Sequence, residues 1–162
     1  MYAMAGGAWE VAYPDGWMTR SPADTGDPVA WQVQSYVQSG KDEPLKAHEI
    51  LLHFAAEPLK TYVNDPRTFD ALLSGYCTTG VESREPESDV LSCNTVKING
   101  RTWAWLEVRS RLFDKLRGIY AGTIANDTLY EASVAVAPGS AENADLATAR
   151  SIFKTMVLHS TA

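Results

Sequence analysis

The stretch Val96-Lys97-Ile98-Asn99-Gly100-Arg101-Thr102-Trp103-Ala104-Trp105-Leu106-Glu107-Val108-Arg109-Ser110-Arg111-Leu112-Phe113 decides the fold. Asn and Gly are the residues that accept positive φ at both central positions of a tight turn, so Asn99-Gly100 predicts a type I′ hairpin. After the turn the side chains alternate. Ala104, Leu106, Val108 and Leu112 point one way; Arg101, Trp103, Trp105, Glu107, Arg109 and Arg111 point the other. A period of two with one apolar set predicts a strand lying on a core. It is the longest strand signal in the chain and is expected near the centre of the sheet.

Outward from this strand, further elements follow. Upstream, Val90 to Ile98 is the partner strand of the hairpin. Downstream, Gly118 to Ala125 and Thr128 to Ala137 form a second hairpin across Asn126-Asp127. Tyr130, Ala132, Val134 and Val136 share one face of it. Pro138-Gly139 ends that strand, and Ser140 is the expected N-cap of a closing helix. Glu142 and Asp145 fall in its first turn, where the helix dipole favours anions. Leu146, Ala149, Ile152, Phe153, Met156 and Val157 make its apolar stripe, with Arg150 and Lys154 late in the helix.

Nearer the start, Trp9, Val11 and Tyr13 alternate as a strand stopped by Pro14-Asp15-Gly16. Trp17 is expected to plug the end of the core. Residues 19 to 28 read as a polar loop. Val29, Trp31, Val33 and Val37 form the apolar face of a second strand, with Gln32, Gln34 and Gln38 on a wet face. Ile50, Leu52 and Phe54 mark a third strand, with Glu49, Leu51 and His53 on its other side. Asp65-Pro66 then opens a helix, because Pro at the first helical position loses no hydrogen bond. Phe69, Leu72, Leu73 and Tyr76 carry its helical spacing. Glu82 to Asp89 reads as a solvated charged crossover. The order is βββ-α-ββββ-α, with strands joined by short turns. It predicts an α+β domain: a mostly antiparallel sheet of about six or seven strands flanked by helices on its faces.

The totals agree. A chain of 162 residues can bury roughly 70% of its unfolded surface in one core. Residues 8–160 are expected to form that single domain, with residues 1–7 as a leader or remnant outside it. The net charge of −6 repels phosphate, so nucleic acid and anionic membrane are disfavoured partners. No apolar run approaches the roughly 20 residues of a membrane helix. No signal peptide is visible, and the short opening leaves the compartment open.

Two cysteines, Cys77 and Cys93, end the first long helix and enter the following strand. A bridge across that loop is worth about 3 kcal/mol in the loop-entropy model. The alternative is two free thiols, and the sequence leaves both open. A bridge would place the protein outside the reducing cytosol.

Four stretches carry a family likeness. Val11-Ala12-Tyr13-Pro14-Asp15-Gly16-Trp17 is similar to the opening strand and Tyr-Pro-x-x-Trp-like turn of the PsbP-like superfamily. Val96-Lys97-Ile98-Asn99-Gly100-Arg101 resembles its central I-N-G hairpin. Asp127-Thr128-Leu129-Tyr130-Glu131-Ala132 resembles the strand before its last crossover, and Ala147 to Val157 its closing helix. This superfamily includes Mog-type Ran-binding proteins and DcrB-type bacterial lipoproteins. The resemblance implies an α-β-α sandwich and an accessory or binding role with no catalytic residues and no cofactor. The expected role is protein–protein interaction in the cell envelope, periplasmic or extracellular, with a lipid anchor left open. The cytosolic alternative is a chaperone for type VI secretion effectors or a small-GTPase-binding protein. A hydrolase with an unrecognised site has the least support.

Candidate sites are few. His53 shares a strand face with Glu49, but two ligands fall short of a zinc site, and an ordinary surface pair is the simpler reading. Glu85 and Glu87 lie in a loop without an apolar pocket to raise a carboxyl pKa. Asn126-Asp127-Thr128 fits a glycosylation sequon, yet turn chemistry already explains it. The aromatic and cationic face remains: Arg101, Trp103, Trp105, Arg109 and Arg111. Trp and Arg are enriched at binding hot spots. The competing reading, favoured where helices lie on both sides of a sheet, is that a helix roofs the Trp end and leaves only the Arg end wet.

Overall fold

The computed structural model describes residues 1–37, 44–59, 68–78, 88–111 and 115–159. The chain is α+β. Among the described residues its main sheet has seven strands: β3 (Met18–Arg20), β4 (Ala30–Gln34), β5 (Ile50–Pro58), β6 (Ser88–Ile98), β7 (Arg101–Ser110), β8 (Arg117–Ala125) and β9 (Thr128–Val136). Their spatial order is β3-β4-β5-β9-β8-β7-β6, and each neighbouring pair is antiparallel. A second sheet joins β1 (Tyr2–Met4), β2 (Trp9–Val11) and β10 (Val157–Leu158) in the order β1-β2-β10. Among the described residues there are three α-helices: α1 (Pro22–Thr25), α2 (Phe69–Cys77) and α3 (Glu142–Phe153).

Both predicted turns form as read. Asn99 and Gly100 have φ of 49° and 80°, and Asn126 and Asp127 have 51° and 53°. Ile98 pairs with Arg101 and Ala125 with Thr128, so each turn has two residues. The registers that follow place Tyr130, Ala132, Val134 and Val136 together in the core.

One expectation about the sheet needs correction. Strand β7 is not central: it lies one strand in from the edge, and β9 is in the middle. Alternation reports which way side chains point, not how many strands lie to either side. Both faces of β7 are covered along most of its length. Ala104, Leu106 and Val108 pack under α2 with Leu72 and Tyr76. Trp103 and Trp105 pack on the opposite side into the larger core. The sheet is thus sandwiched between α2 and a layer made of α3 and the small sheet.

The larger core is aromatic. Trp9 meets Phe54 and Tyr130 edge-on at centroid distances of 5.4 and 5.3 Å, and Trp103 at 6.0 Å. Phe153 from α3 meets Phe54 at 6.2 Å and Trp105 at 5.8 Å, both edge-on. Such pairs add about 0.5–1.5 kcal/mol each beyond area burial. Trp17 packs against the same cluster.

Helix ends differ from the sequence reading. Thr68 caps α2, its side chain accepting from the Ala71 N–H; Asp65 and Pro66 lie outside the described residues. Ala141, not Ser140, precedes α3, whose first turn still carries Glu142 and Asp145. The expected polar loop at 19–28 contains α1, closed by a reciprocal Ser21–Asp24 capping box. Gln34, assigned to a wet face, is buried and its Nε2 donates to the Tyr36 carbonyl (2.8 Å). Residues 82–87 of the charged crossover lie outside the described residues, while Ser88 and Asp89 already belong to β6.

The boundary drawn at residue 8 also moves. Tyr2–Met4 pairs with β2, Met4 is buried in the main core, and Tyr2 donates its hydroxyl to the Arg20 carbonyl at 3.0 Å. Val157 leaves the helical stripe to pair with Glu10 in β10. Strands of two or three residues are too short to show a period.

Candidate interaction surface

The five residues of the aromatic and cationic face do not form one surface. Trp103 and Trp105 are only 1% and 7% exposed, roofed by Trp9 of β2 and Phe153 of α3. The roofed reading describes the Trp end. Arg109 is held at the start of α3, where Nη1 and Nη2 donate to the two Glu142 carboxylate oxygens at 3.1 and 2.6 Å. This pair raises the Arg109 pKa above its ordinary value, the hydrogen bond to Glu142 contributing most. Arg111 pairs with Asp89 across the hairpin at the surface, and that bond holds the Asp89 carboxyl below its ordinary range. Arg101 is half-buried at the turn end of the same strand.

Between Trp105 and Arg109 sits a residue whose role the sequence did not reveal. Glu107 Oε1 accepts from Arg117 Nη2 of β8 (3.0 Å) and from Arg150 Nη2 of α3 (2.5 Å). Its Oε2 accepts the Trp105 indole N–H at 3.1 Å. Arg117 also approaches Glu142 at 4.0 Å. A chain of charge-assisted bonds therefore runs from Trp105 through Glu107 and the arginines to Glu142, clamping α3 onto β7 and β8. The signal was Glu107 alternating with Trp105 and Arg109 on one face. What could not be read is that Arg117 and Arg150 arrive beside it.

Along the outer side of this clamp lies a hollow of about 250 Å3. Asn94, Val96 and Ile98 of β6 form one wall, Trp105 and Glu107 of β7 the floor, and Arg150 and Lys154 of α3 the other wall. It opens beside β6, the last strand of the sheet among the described residues.

On the opposite face of the sheet, beyond α2, a second hollow of about 240 Å3 is lined by Asp27, His53, Ala55, Glu57, Tyr120, Glu131, Ala132 and Ser133. Burial lowers the His53 pKa from its ordinary value, opposed by the weaker pull of Asp27 and Glu131. The Tyr76 hydroxyl of α2 donates to Glu131 Oε1 at 3.1 Å beside this hollow. Its polar groups are of mixed chemistry, Asp27 from the α1–β4 connection and the rest from strands; among the described residues, no group of three His, Cys, Asp or Glu side chains is placed to hold a metal ion.

The other histidines brace the fold. The His48 N–H donates to Asp145 Oδ2 at 2.9 Å, with the imidazole Nδ1 3.3 Å from Oδ1. His159 Nε2 lies 2.6 Å from Glu10 Oε2 across the small sheet. Cys77, the last residue of α2, is disulfide-bonded to Cys93 of β6, with Cα atoms 5.7 Å apart. The free-thiol alternative therefore falls. Among the described residues no helix is long and apolar enough to cross a membrane.

No protein-family model matches this sequence, and no curated protein does. Solved structures do match. The chain is similar to the solution structure of cyanobacterial PsbP from Synechocystis, at TM-score 0.61 and 13% identity, covering 98% of this chain and 91% of that one. It is similar to a protein of unknown function from Pseudomonas aeruginosa, at TM-score 0.58 and 14% identity, covering 96% of this chain and all of that one. A Bacteroides thetaiotaomicron structure matches at TM-score 0.54 and 13% identity, and this chain spans 48% of its length. At these identities the likeness is one of fold, and that fold is PsbP-like.

Proposed function

We propose that this chain is a non-enzymatic binding protein of the cell envelope that works by docking a protein partner. One observation carries the reading: the hollow between β6 and α3, with apolar Val96, Ile98 and Trp105 at its base and Arg150 and Lys154 on its rim, open beside a sheet edge. Its size is below the roughly 300 Å3 at which sites for cofactors and drug-sized ligands begin, and it suits single side chains of a partner. Of the titratable side chains that line it, Glu107 and Arg150 are engaged in bracing α3, and Lys154 stands on the rim. The Cys77–Cys93 bridge supports an oxidising compartment, periplasmic or extracellular, over the cytosolic chaperone or small-GTPase-binding alternative. The PsbP-like fold hosts accessory proteins of several kinds, Mog-type Ran-binding proteins and DcrB-type lipoproteins among them, so fold alone does not choose the partner.

The test is photo-crosslinking in the native cells from a benzophenone residue in place of exposed Asn94, followed by fractionation. A discrete adduct with one protein in the envelope fraction is expected. Recovery of the protein in the cytosol, or no adduct from Asn94, would overturn the reading.

A further inference from the structure

The hollow lies beside an unusual feature: a long outer strand. Strand β6 spans Ser88–Ile98, and among the described residues only β7 pairs with it. The two-residue turn makes Ile98 and Arg101 a hydrogen-bonded pair, so hydrogen-bonded and non-bonded pairs alternate from there. Val96 and Asn94 therefore point their backbone groups at β7. Lys97, Thr95 and Cys93 point theirs outward. The same alternation sends the side chains of Asn94, Val96 and Ile98 toward the hollow and those of Cys93, Thr95 and Lys97 to the α2 face. On that face the Cys77 bridge pins β6 to α2. The outward edge is thus held in a fixed, extended shape, which lowers the entropy a binding strand must overcome.

Charge selects among strands. The chain carries a net −6, yet the hollow is lined by two cations, Arg150 and Lys154, and one carboxylate. That carboxylate, Glu107, is already bonded to Arg117, Arg150 and the Trp105 indole. Lys97 adds a further exposed cation to the strand itself.

We propose that β6 accepts an extended segment of a partner protein as an eighth strand. On the side chains that face the hollow, this segment carries apolar residues flanking a carboxylate: the apolar ones stand opposite Asn94 and Ile98, the first reaching Val96 on the diagonal, and the carboxylate between them points across the hollow to Lys154. This is strand addition, in which main-chain bonds supply affinity and alternate side chains supply choice. The inference rests on the binding role proposed above and names the partner's chemistry.

The probe is a blocked heptapeptide, Thr-Ile-Thr-Glu-Thr-Ile-Thr, which places Ile, Glu and Ile on one face; the control carries Lys in place of Glu. Binding is followed by NMR at the Thr95 and Lys97 amides and the Trp105 indole, up to millimolar peptide. The Glu peptide should bind at least tenfold more tightly than the Lys peptide and protect both amides from exchange. Thr95→Pro removes an outward N–H without touching the β6–β7 ladder, so it should fold and lose tenfold or more. Lys154→Glu, at an exposed side chain, should reverse the preference between the two peptides. Any of these results would overturn the proposal: no binding of the Glu peptide, equal binding of both peptides, unchanged binding by folded Thr95→Pro, an unaltered preference in Lys154→Glu, or self-association of the wild type that Thr95→Pro abolishes. The last would make a second copy of this chain the occupant. If Thr95→Pro still forms the Asn94 adduct in cells, strand addition fails while the binding role stands; if the wild type forms none, the binding role itself fails.

Discussion

Asn99 Nδ2 donates to the Met156 carbonyl across 2.8 Å and to the Lys154 carbonyl across 3.2 Å. The turn of the β6–β7 hairpin therefore closes the C-terminal end of α3, where carbonyls otherwise lack partners. One residue performs two duties: its backbone accepts φ of 49°, and its amide joins two elements distant in sequence.

Asn99→Gly separates these duties. Glycine keeps the turn and drops the two side-chain bonds, so the variant should lose about 1–2 kcal/mol. Asn99→Ala should lose about 1 kcal/mol more, because a Cβ is disfavoured in the left-handed region. Urea unfolding of both variants checks the order; an Asn99→Gly variant as stable as the wild type would show that the bonds to α3 contribute nothing, and equal losses in the two variants would show that the left-handed backbone carries no Cβ penalty.

Glu107→Ala should cost about 2–4 kcal/mol, since it leaves the mostly buried Arg117 without its main partner. Asp89→Ala breaks the ion pair with Arg111, which is more than half exposed, and should leave the melting temperature unchanged within error. Thermal melts of the two variants distinguish a clamp from a surface pair. If Glu107→Ala melts like the wild type, the clamp is ornamental.

Gly122 in β8 lies directly beneath α2. A Cβ there would collide with the Tyr76 hydroxyl and come within 2.8 Å of its Cζ. Glycine in a strand interior often marks such a close approach. Gly122→Ala should destabilise by about 1–3 kcal/mol, the usual cost of overpacking. Pairing it with Tyr76→Phe, which removes the colliding oxygen, should recover part of the loss. No recovery would place the cost in the strand backbone instead.

Burial depresses the His53 pKa in the folded state. Between that lowered value and the unfolded value of about 6.5, the unfolded chain binds a proton that the folded chain refuses. Stability from this residue is therefore complete above about pH 6.5 and declines as pH falls below it. His53→Gln should flatten that part of the profile, read as urea midpoints at about pH 7.5 and about pH 5.5. An unchanged slope would mean that His53 titrates alike in both states.

Much of this architecture is legible in the sequence, because it is written locally. Asn99-Gly100 and Asn126-Asp127 specify their turns, and each turn then sets a register over a whole hairpin. Tyr130 to Val136 shows its buried face by alternation alone. What escaped needs the third dimension. Nothing in the order of residues near Trp103 and Trp105 says that Trp9 arrives to roof the first and Phe153 the second. Arg109 looked like a wet residue because Glu142, which neutralises it, is 33 positions away. The hollow escaped for the same reason: its walls come from β6, β7 and α3. The strands Tyr2–Met4, Met18–Arg20 and Val157–Leu158 are defined by their partners rather than by any pattern of their own.

The envelope reading depends most on the bond between Cys77 and Cys93 in the living cell. Native cells are quenched in acid, the protein is alkylated without reductant, and its intact mass is measured. The expected result is a mass with no added alkyl groups, rising by two groups only after reduction. Two groups added straight from the cell would place the protein in a reducing compartment and contradict the account.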